Sequence, residues 1–415
     1  MTVRSPIRLR PFTLFVIVSV MFIAGILVER SGRWLARYSY TPAGLEKTFA
    51  PFWETWDLVE KHYVDRSKVE PKRMTRGAID GMLVSLGDVG HTAFMSPDDF
   101  QELESGLKGK MVGIGARIIM RKRQPVFLHT LAGSPARAAG LRSGDVLLEV
   151  DGKSVAGLPL ESIIEKVHGK AGTSVHLRIN REGSPEPIDL ELVRAEVDIP
   201  EITWALLPGV PVAHVAIQTF GQKAHALLKT ALEQAREQGA KALVLDVRGN
   251  GGGLKDQAVA VTSEFLLSGN VFVEQDAHGK RTALPVTGGG TATDVPLCVL
   301  IDGGSASSAE IFAGAIQDHR RGKLVGMRTF GTGTVLEAFR LHDGSAVLLA
   351  VAEWLTPNGR RIWHKGIQPD VEVSLPEGAL ILLPETETEL TPASLEKSED
   401  KQLLRALEVL KAELR

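Results

Sequence analysis

A single cysteine, Cys298, stands in 415 residues, so no intrachain disulfide can brace the fold. It lies inside the apolar run Pro296–Ile301 with nothing beside it to lower its pKa, and it reads as a buried small hydrophobe rather than a thiol nucleophile. Basic excess is also missing. Lys+Arg 48 stand against Asp+Glu 50, net charge -2, with no run of five or more basic residues, which removes the electrostatic footprint of a nucleic-acid binder. The 11 histidines are scattered and no pair falls at i, i+4 beside a carboxylate, so no metal site is expected, nor any other cofactor. What remains is ordinary globular composition, 44% hydrophobic and 24% charged, enough for two or three cores.

One apolar run does not belong to a soluble core. Pro11 to Val28 is 18 residues without a charge, preceded by Arg4, Arg8 and Arg10 and followed by Glu29, Arg30 and Arg33. As a helix it is about 27 Å long, close to a bilayer core of about 30 Å. Ile26–Arg30 offers no small-x-small cleavage site, so the reading is an uncleaved anchor. Residues 1–10 are then a cytoplasmic tail, 11–28 a single span of the cell inner membrane, and the bulk of the chain is periplasmic.

The period of the apolar positions changes twice after that. Residues 45–107 look helical, with Phe49, Phe52, Trp53 and Trp56 as a core-facing stripe and Ser96-Pro97-Asp98-Asp99 as a helix start. Residues 108–195 shorten into strands: Val112–Ile119, Val126–Leu128, Asp145–Val150 with a turn at Asp151-Gly152, and the alternating Val175–Ile179, with a helix through Ile163–Val167. From 196 to 375 buried strands at Val212–Ile217, Ala242–Val247 and Leu297–Ile301 alternate with helices near 224–238, 254–267 and 305–318, which predicts α/β layers. Residues 376–393 read as a linker, and an amphipathic helix closes the chain within 376–415.

Two glycine-rich turns follow buried strands. In Arg248-Gly-Asn-Gly-Gly-Gly253 the bare backbone N–H groups can approach a ligand, as an oxyanion site requires, although a plain tight turn reads equally well. Asp302-Gly-Gly-Ser-Ala-Ser-Ser-Ala-Glu310 runs directly into an apolar helix. Ser305 reads as its cap, while for Ser307 and Ser308 nucleophile and cap stand even on pattern alone.

Taken with Leu245–Asn250, Gly304–Ile311, Thr329-Phe-Gly-Thr-Gly-Thr-Val335 and Gly366-Ile-Gln-Pro-Asp370, this order resembles the C-terminal processing (tail-specific) serine peptidases over nearly all of the chain beyond the anchor. The fold the resemblance implies is α+β: a helical N-terminal region, then a PDZ-like domain before an α/β (crotonase/ClpP-like) peptidase core. It places the nucleophile on Ser307 and the oxyanion donors on Gly252, Gly253 and the N–H of Ser308. The PDZ-like loop Val112-Gly113-Ile114-Gly115 is implied to grip the C-terminus of a substrate protein, here an exported one.

The sequence departs from that family where the general-base lysine belongs. The glycine-flanked position is Thr332, and the supporting glutamine falls on Leu336. A threonine hydroxyl cannot take a proton from serine at neutral pH. Of the nearby substitutes, Lys323 and Lys365 read as surface charges, and His319 lies about 18 Å along the helix from Ser307. That leaves His364. The expected function is binding, and cleavage through Ser307, of exported protein C-termini. The alternative is a pseudopeptidase that binds peptides without turnover, and a crotonase-like acyl-CoA enzyme stands third.

Overall fold

The computed structural model describes residues 41, 43–88, 91–131, 133–376, 379–388 and 390–414. The expected tail and anchor at 1–28 lie outside the described residues. Among those described, no helix is long and apolar enough to cross a membrane. The chain divides after Gly81. The first unit holds helix Glu46–His62, whose aromatic row is in edge-on contact along its length, Phe52 and Trp53 lying 4.9 Å apart. No residue of that helix is buried, which corrects the core reading of the stripe.

In the second unit the expected all-helical stretch is interrupted by strand Ala93–Met95, and helix Pro97–Leu107 begins as expected with the Ser96 hydroxyl accepting the Asp99 N–H. Strands Lys110–Gly113 and Ala195–Asp198 then pair antiparallel and bracket the PDZ-like module. Its sheet runs in the order Ala116–Arg121, Gln124–Thr130, Val146–Val150, Ser174–Asn180, Ile188–Val193. Val175, Leu177 and Ile179 point inward onto Phe127, Leu147 and Ile163, as the period of two predicts. The expected single strand at 112–119 is instead broken at Ile114-Gly115. Gly115 has φ 70°, and a Cβ there would come within 2.4 Å of the Ser134 Cβ. Strand Ala116–Arg121 ends the sheet, so one of its edges is unpaired, and helix Leu160–Val167 packs against it.

The peptidase core is a sheet in the order Ile202–Leu206, Val212–Ile217, Ala242–Asp246, Leu297–Ile301, Lys323–Gly326, Val371–Glu372, parallel except for its first pair. Its three central strands are buried at every position, which is why they read as unbroken apolar runs. Alternate residues serve opposite faces. Val215, Leu245 and Val299 pack with helices Ala224–Glu237, Lys255–Ser263 and Ser308–Asp318, whereas Val212, Val244, Cys298 and Leu300 meet Leu403, Leu407 and Leu410 of helix Lys401–Glu413. Cys298 is fully buried, and that burial pushes its thiol pKa up to about 12. A second sheet centres on strand Ala346–Leu355, flanked by Thr334–Arg340, Asn270–Asp276 and Ala93–Met95.

The linker reading of 376–393 is corrected by its burial. Helix Pro384–Glu387 sends the Glu387 carboxylate into the core, where it meets His214 Nδ1 at 2.6 Å, and His214 Nε2 lies 3.2 Å from Asp246. Arg248, itself buried, joins Asp246 to Asp400 at the start of the last helix. Burial opposes the charge on His214, but Glu387 and Asp246 outweigh it and hold the imidazole pKa up to about 10. A pKa raised in the folded state gives stability that is present below the unfolded value of about 6.5 and lost as pH rises through the folded one. Thermal melting should therefore fall between pH 7 and pH 10, and Glu387→Gln should remove most of that slope.

Candidate active site

The two glycine-rich turns are separate in sequence and interlocked in space. Asp302 Oδ1 accepts the N–H groups of Gly249 at 2.8 Å and Gly304 at 2.9 Å. The Ser305 hydroxyl donates to the Val247 carbonyl at 2.7 Å and accepts the Asp302 N–H, and the Ala306 N–H reaches the Asn250 carbonyl at 2.9 Å. Ser305 thus pins one turn to the other. It does not cap the helix, which starts three residues later at Ser308.

Ser307 occupies the N-cap position with φ 55° and ψ -119°, a conformation that costs a non-glycine residue about 1–3 kcal/mol. Its hydroxyl makes no capping bond. The strain is held by the neighbouring backbone and by Glu310: the Ser307 carbonyl accepts the Glu310 N–H at 2.8 Å, and the Ser307 N–H donates to Glu310 Oε2 at 3.1 Å. The serine side chain is left half-buried and uncommitted at the positive end of the helix dipole.

Beside it lie the expected oxyanion residues. Gly252 is pressed so close that a Cβ would sit 2.6 Å from the Ser307 Cβ and 3.0 Å from the Ser308 nitrogen. Its N–H, however, donates to Asn250 Oδ1 at 2.7 Å, which corrects its assignment as a donor. The N–H groups of Gly253 and Ser308 have no acceptor among the described residues. The Ser308 hydroxyl donates to the Gly253 carbonyl at 3.1 Å and ties these two positions together.

The third segment is the loop of Thr332. Glu310, fully buried, accepts the Thr329 hydroxyl at 2.5 Å and the Gly331 N–H at 2.8 Å on Oε1, and the Thr332 N–H at 2.9 Å on Oε2 beside that of Ser307. Burial pushes this carboxyl above its usual range against the pull of the four donors. Thr332 is 6% exposed and sits against the serine turn through this shared acid, while Leu336 is 39% exposed on the following strand. Among the described residues, none of the substitutes weighed from the sequence is hydrogen-bonded to Ser307. His319 Nε2 bonds the Asn270 carbonyl at 2.8 Å, and Lys323 and Lys365 are exposed. His364, exposed and stacked on Trp363, touches the loop through its N–H to Gly331, and it lines a basic cleft of about 560 Å³ with Arg328, Arg360 and Lys365.

Sequence reasoning missed Glu310 as the clasp of the site; an acid three residues past Ser307 in an otherwise apolar helix was the available signal. It also missed Asp88, His91 and Thr92, which form a buried cluster beside Phe330. Asp88 Oδ1 meets His91 Nδ1 at 2.9 Å, Oδ2 accepts the Thr92 hydroxyl at 2.7 Å, and the His91 and Phe330 rings are 5.9 Å apart. Burial would raise the Asp88 carboxyl, but the bonds from Thr92 and His91 outweigh it and keep it low.

The residues expected to grip a peptide divide. Val112 and Gly113 are paired with Glu196 and Ala195 in the strands that bracket the module. Ile114 and Gly115 turn out of that pair into the edge strand, and their N–H groups have no acceptor among the described residues. They lead directly into strand Ala116–Arg121, which ends its sheet.

Comparison with known proteins gives the following. The model of peptidase family S41 matches residues 211–373 and a PDZ domain model matches 131–181. A probable CtpA-like serine protease of Staphylococcus epidermidis is 32% identical over 336 residues, which cover 80% of this chain and 67% of the relative. Its counterpart in Staphylococcus haemolyticus is 33% identical over 307 residues, 74% of this chain and 61% of the relative, so the chain spans about three fifths of that protein's length. Among solved structures, the photosystem II D1 C-terminal processing protease is 33% identical with a TM-score of 0.50, covering 79% of this chain and 94% of that one. A putative S41 protease from Bacteroides fragilis shares the fold at 16% identity, TM-score 0.56, over 82% of this chain and 96% of that one.

Proposed function

Because the chain belongs to peptidase family S41, in its CtpA-like, PDZ-containing C-terminal processing branch, we propose that it is a serine endopeptidase that holds protein C-termini in its PDZ domain and cleaves them with Ser307. The observation that carries this is the strained, uncommitted Ser307 on two interlocked turns that also hold two N–H groups without an acceptor among the described residues, those of Gly253 and Ser308. As Ser307 Oγ adds to a scissile carbonyl, the oxygen becomes an anion where those N–H groups converge, and such preorganised donors contribute about 10²–10³ each to the rate. Serine strain belongs to the same logic, since it presents the hydroxyl outward from a sharp strand-to-helix turn.

Binding uses different atoms. The N–H groups of Ile114 and Gly115 take the substrate's terminal carboxylate, and the last residues of the peptide extend the sheet along Ala116–Arg121. Peptides with a free apolar C-terminal residue should bind the full chain at least about tenfold more tightly than the same peptides amidated, in the manner of carboxylate capture by backbone donors. Equal affinities in a fluorescence titration would contradict the grip.

A second reading is favoured by Thr332 alone: the chain keeps the grip and lacks turnover, acting as a scaffold or regulator. Cleavage of a bound, unstructured C-terminal peptide by wild type but not by Ser307→Ala decides between the two. The proposal includes an inner-membrane anchor at 11–28 with the rest of the chain periplasmic, on the strength of the 18 uncharged residues there. Retention of full-length protein in the membrane fraction after a carbonate wash tests it.

A further inference from the structure

The site around Ser307 has a nucleophile and oxyanion donors, and its Thr332 position offers no base. We propose that His91, oriented by Asp88, is the general base for Ser307; this rests on the serine-peptidase reading above. Both side chains belong to residues only 6% exposed. The Asp88 carboxylate is fixed by three bonds, its Oδ2 accepting the Thr92 N–H at 3.2 Å and hydroxyl at 2.7 Å and its Oδ1 facing His91 Nδ1 at 2.9 Å, while the Thr92 hydroxyl in turn accepts the Ala350 N–H at 3.1 Å. A carboxylate that only accepts makes Nδ1 the protonated ring nitrogen, so the lone pair sits on Nε2.

That Nε2 is buried and has no hydrogen-bond partner among the described residues. A buried polar atom left unpaired costs about 1–3 kcal/mol, and such atoms are rare outside sites that use them. The imidazole lies 5.9 Å from the ring of Phe330, whose N–H is held by the Ser305 carbonyl. Thr329, Gly331 and Thr332, the neighbours of Phe330, are fastened to the same Glu310 carboxylate as Ser307. From the other side, Ala350, which bonds Thr92, is the register partner of Leu336. The Asp88–His91 pair therefore meets the loop of Thr332 at Phe330 and, through Thr92, the strand that pairs with Leu336.

Ser307 Oγ and His91 Nε2 are not hydrogen-bonded in this arrangement, as is common before substrate binds. Phe330, tilted against the imidazole, is 58% exposed. In the step itself the Ser307 proton passes to Nε2 as Oγ bonds the scissile carbon; the imidazolium then gives that proton to the amine as the C–N bond breaks. Water, deprotonated by the same Nε2, releases the acyl group from Oγ.

The test is the rate at which a fluorophosphonate probe labels the full-length protein, with and without added imidazole. Wild type should label, Ser307→Ala should not, and His91→Ala should label at least about 10²-fold more slowly, with imidazole restoring about tenfold, as expected of a lost general base. His91→Gln, which keeps the bulk and a donor to Asp88, should show the same loss at an unchanged melting temperature. Asp88→Asn, a positioning change, should lower kcat on a peptide substrate while leaving KM in place. His91→Ala labelling at the wild-type rate would overturn the proposal and leave the peptidase reading standing, as would slow labelling that imidazole does not restore. Wild type that fails to label would overturn both.

Discussion

Glu310→Gln should cost the folded chain about 3 kcal/mol in denaturant titration and slow phosphonylation of Ser307 by at least about tenfold, the expected result of stranding buried donors. The reasoning is geometric. Each carboxylate oxygen accepts two bonds, Oε1 from Thr329 and Gly331 and Oε2 from Ser307 and Thr332. An amide in the same place has one acceptor and one donor end: turned one way its NH₂ faces the Ser307 and Thr332 N–H groups, and turned the other it strands the Gly331 N–H while the Thr329 hydroxyl must rotate to accept, at about 1–3 kcal/mol per stranded donor. The two that lie against Oε2 are the N–H groups holding the serine turn and the Thr332 loop together, so stability and reactivity fall together. A Gln variant as stable and as reactive as wild type would show that Glu310 is not the clasp.

Gly252→Ala should reduce phosphonylation by about 10²-fold, comparable to the loss of an oxyanion donor, although Gly252 donates none itself. Its φ is 107°, and the new methyl would stand 2.6 Å from the Ser307 Cβ, closer than real Cβ atoms come, and a tight 3.0 Å from the Ser308 nitrogen. Something must shift, and the atoms in the way are the nucleophile and the backbone of a donor. Gly251→Ala is the control, because nothing lies within 4 Å of a Cβ there and its φ is ordinary. Equal labelling by the two variants would mean that the close approach of the turns is not what presents Ser307.

The parts of this structure that could be read from sequence are those in which a residue's neighbours in space are also dictated by its neighbours in the chain. Strands Val212–Ile217, Ala242–Asp246 and Leu297–Ile301 are covered on both faces and so carry no polar interruption, and Ser174–Asn180 is covered on one and alternates. The hairpin of Thr334–Arg340 with Ala346–Leu355 went unread because its first strand is exposed at most positions and shows no apolar period. Burial of Glu387 was invisible for another reason: its partner His214 is 173 residues away. The same holds at the site. The resemblance pointed to the serine turn, but the Gly252 N–H that proved engaged, the acid that binds four donors and the His91 imidazole beside Phe330 are all consequences of three segments meeting, and local spacing carries only a trace of each.

The most direct test of the central claim is peptide mapping of the full-length protein after reaction with a fluorophosphonate. The account predicts a stoichiometric phosphonyl adduct on Ser307, absent from Ser305 and Ser308, and abolished by Ser307→Ala at an unchanged melting temperature. No adduct on folded protein, or an adduct on another residue that persists in Ser307→Ala, would contradict it.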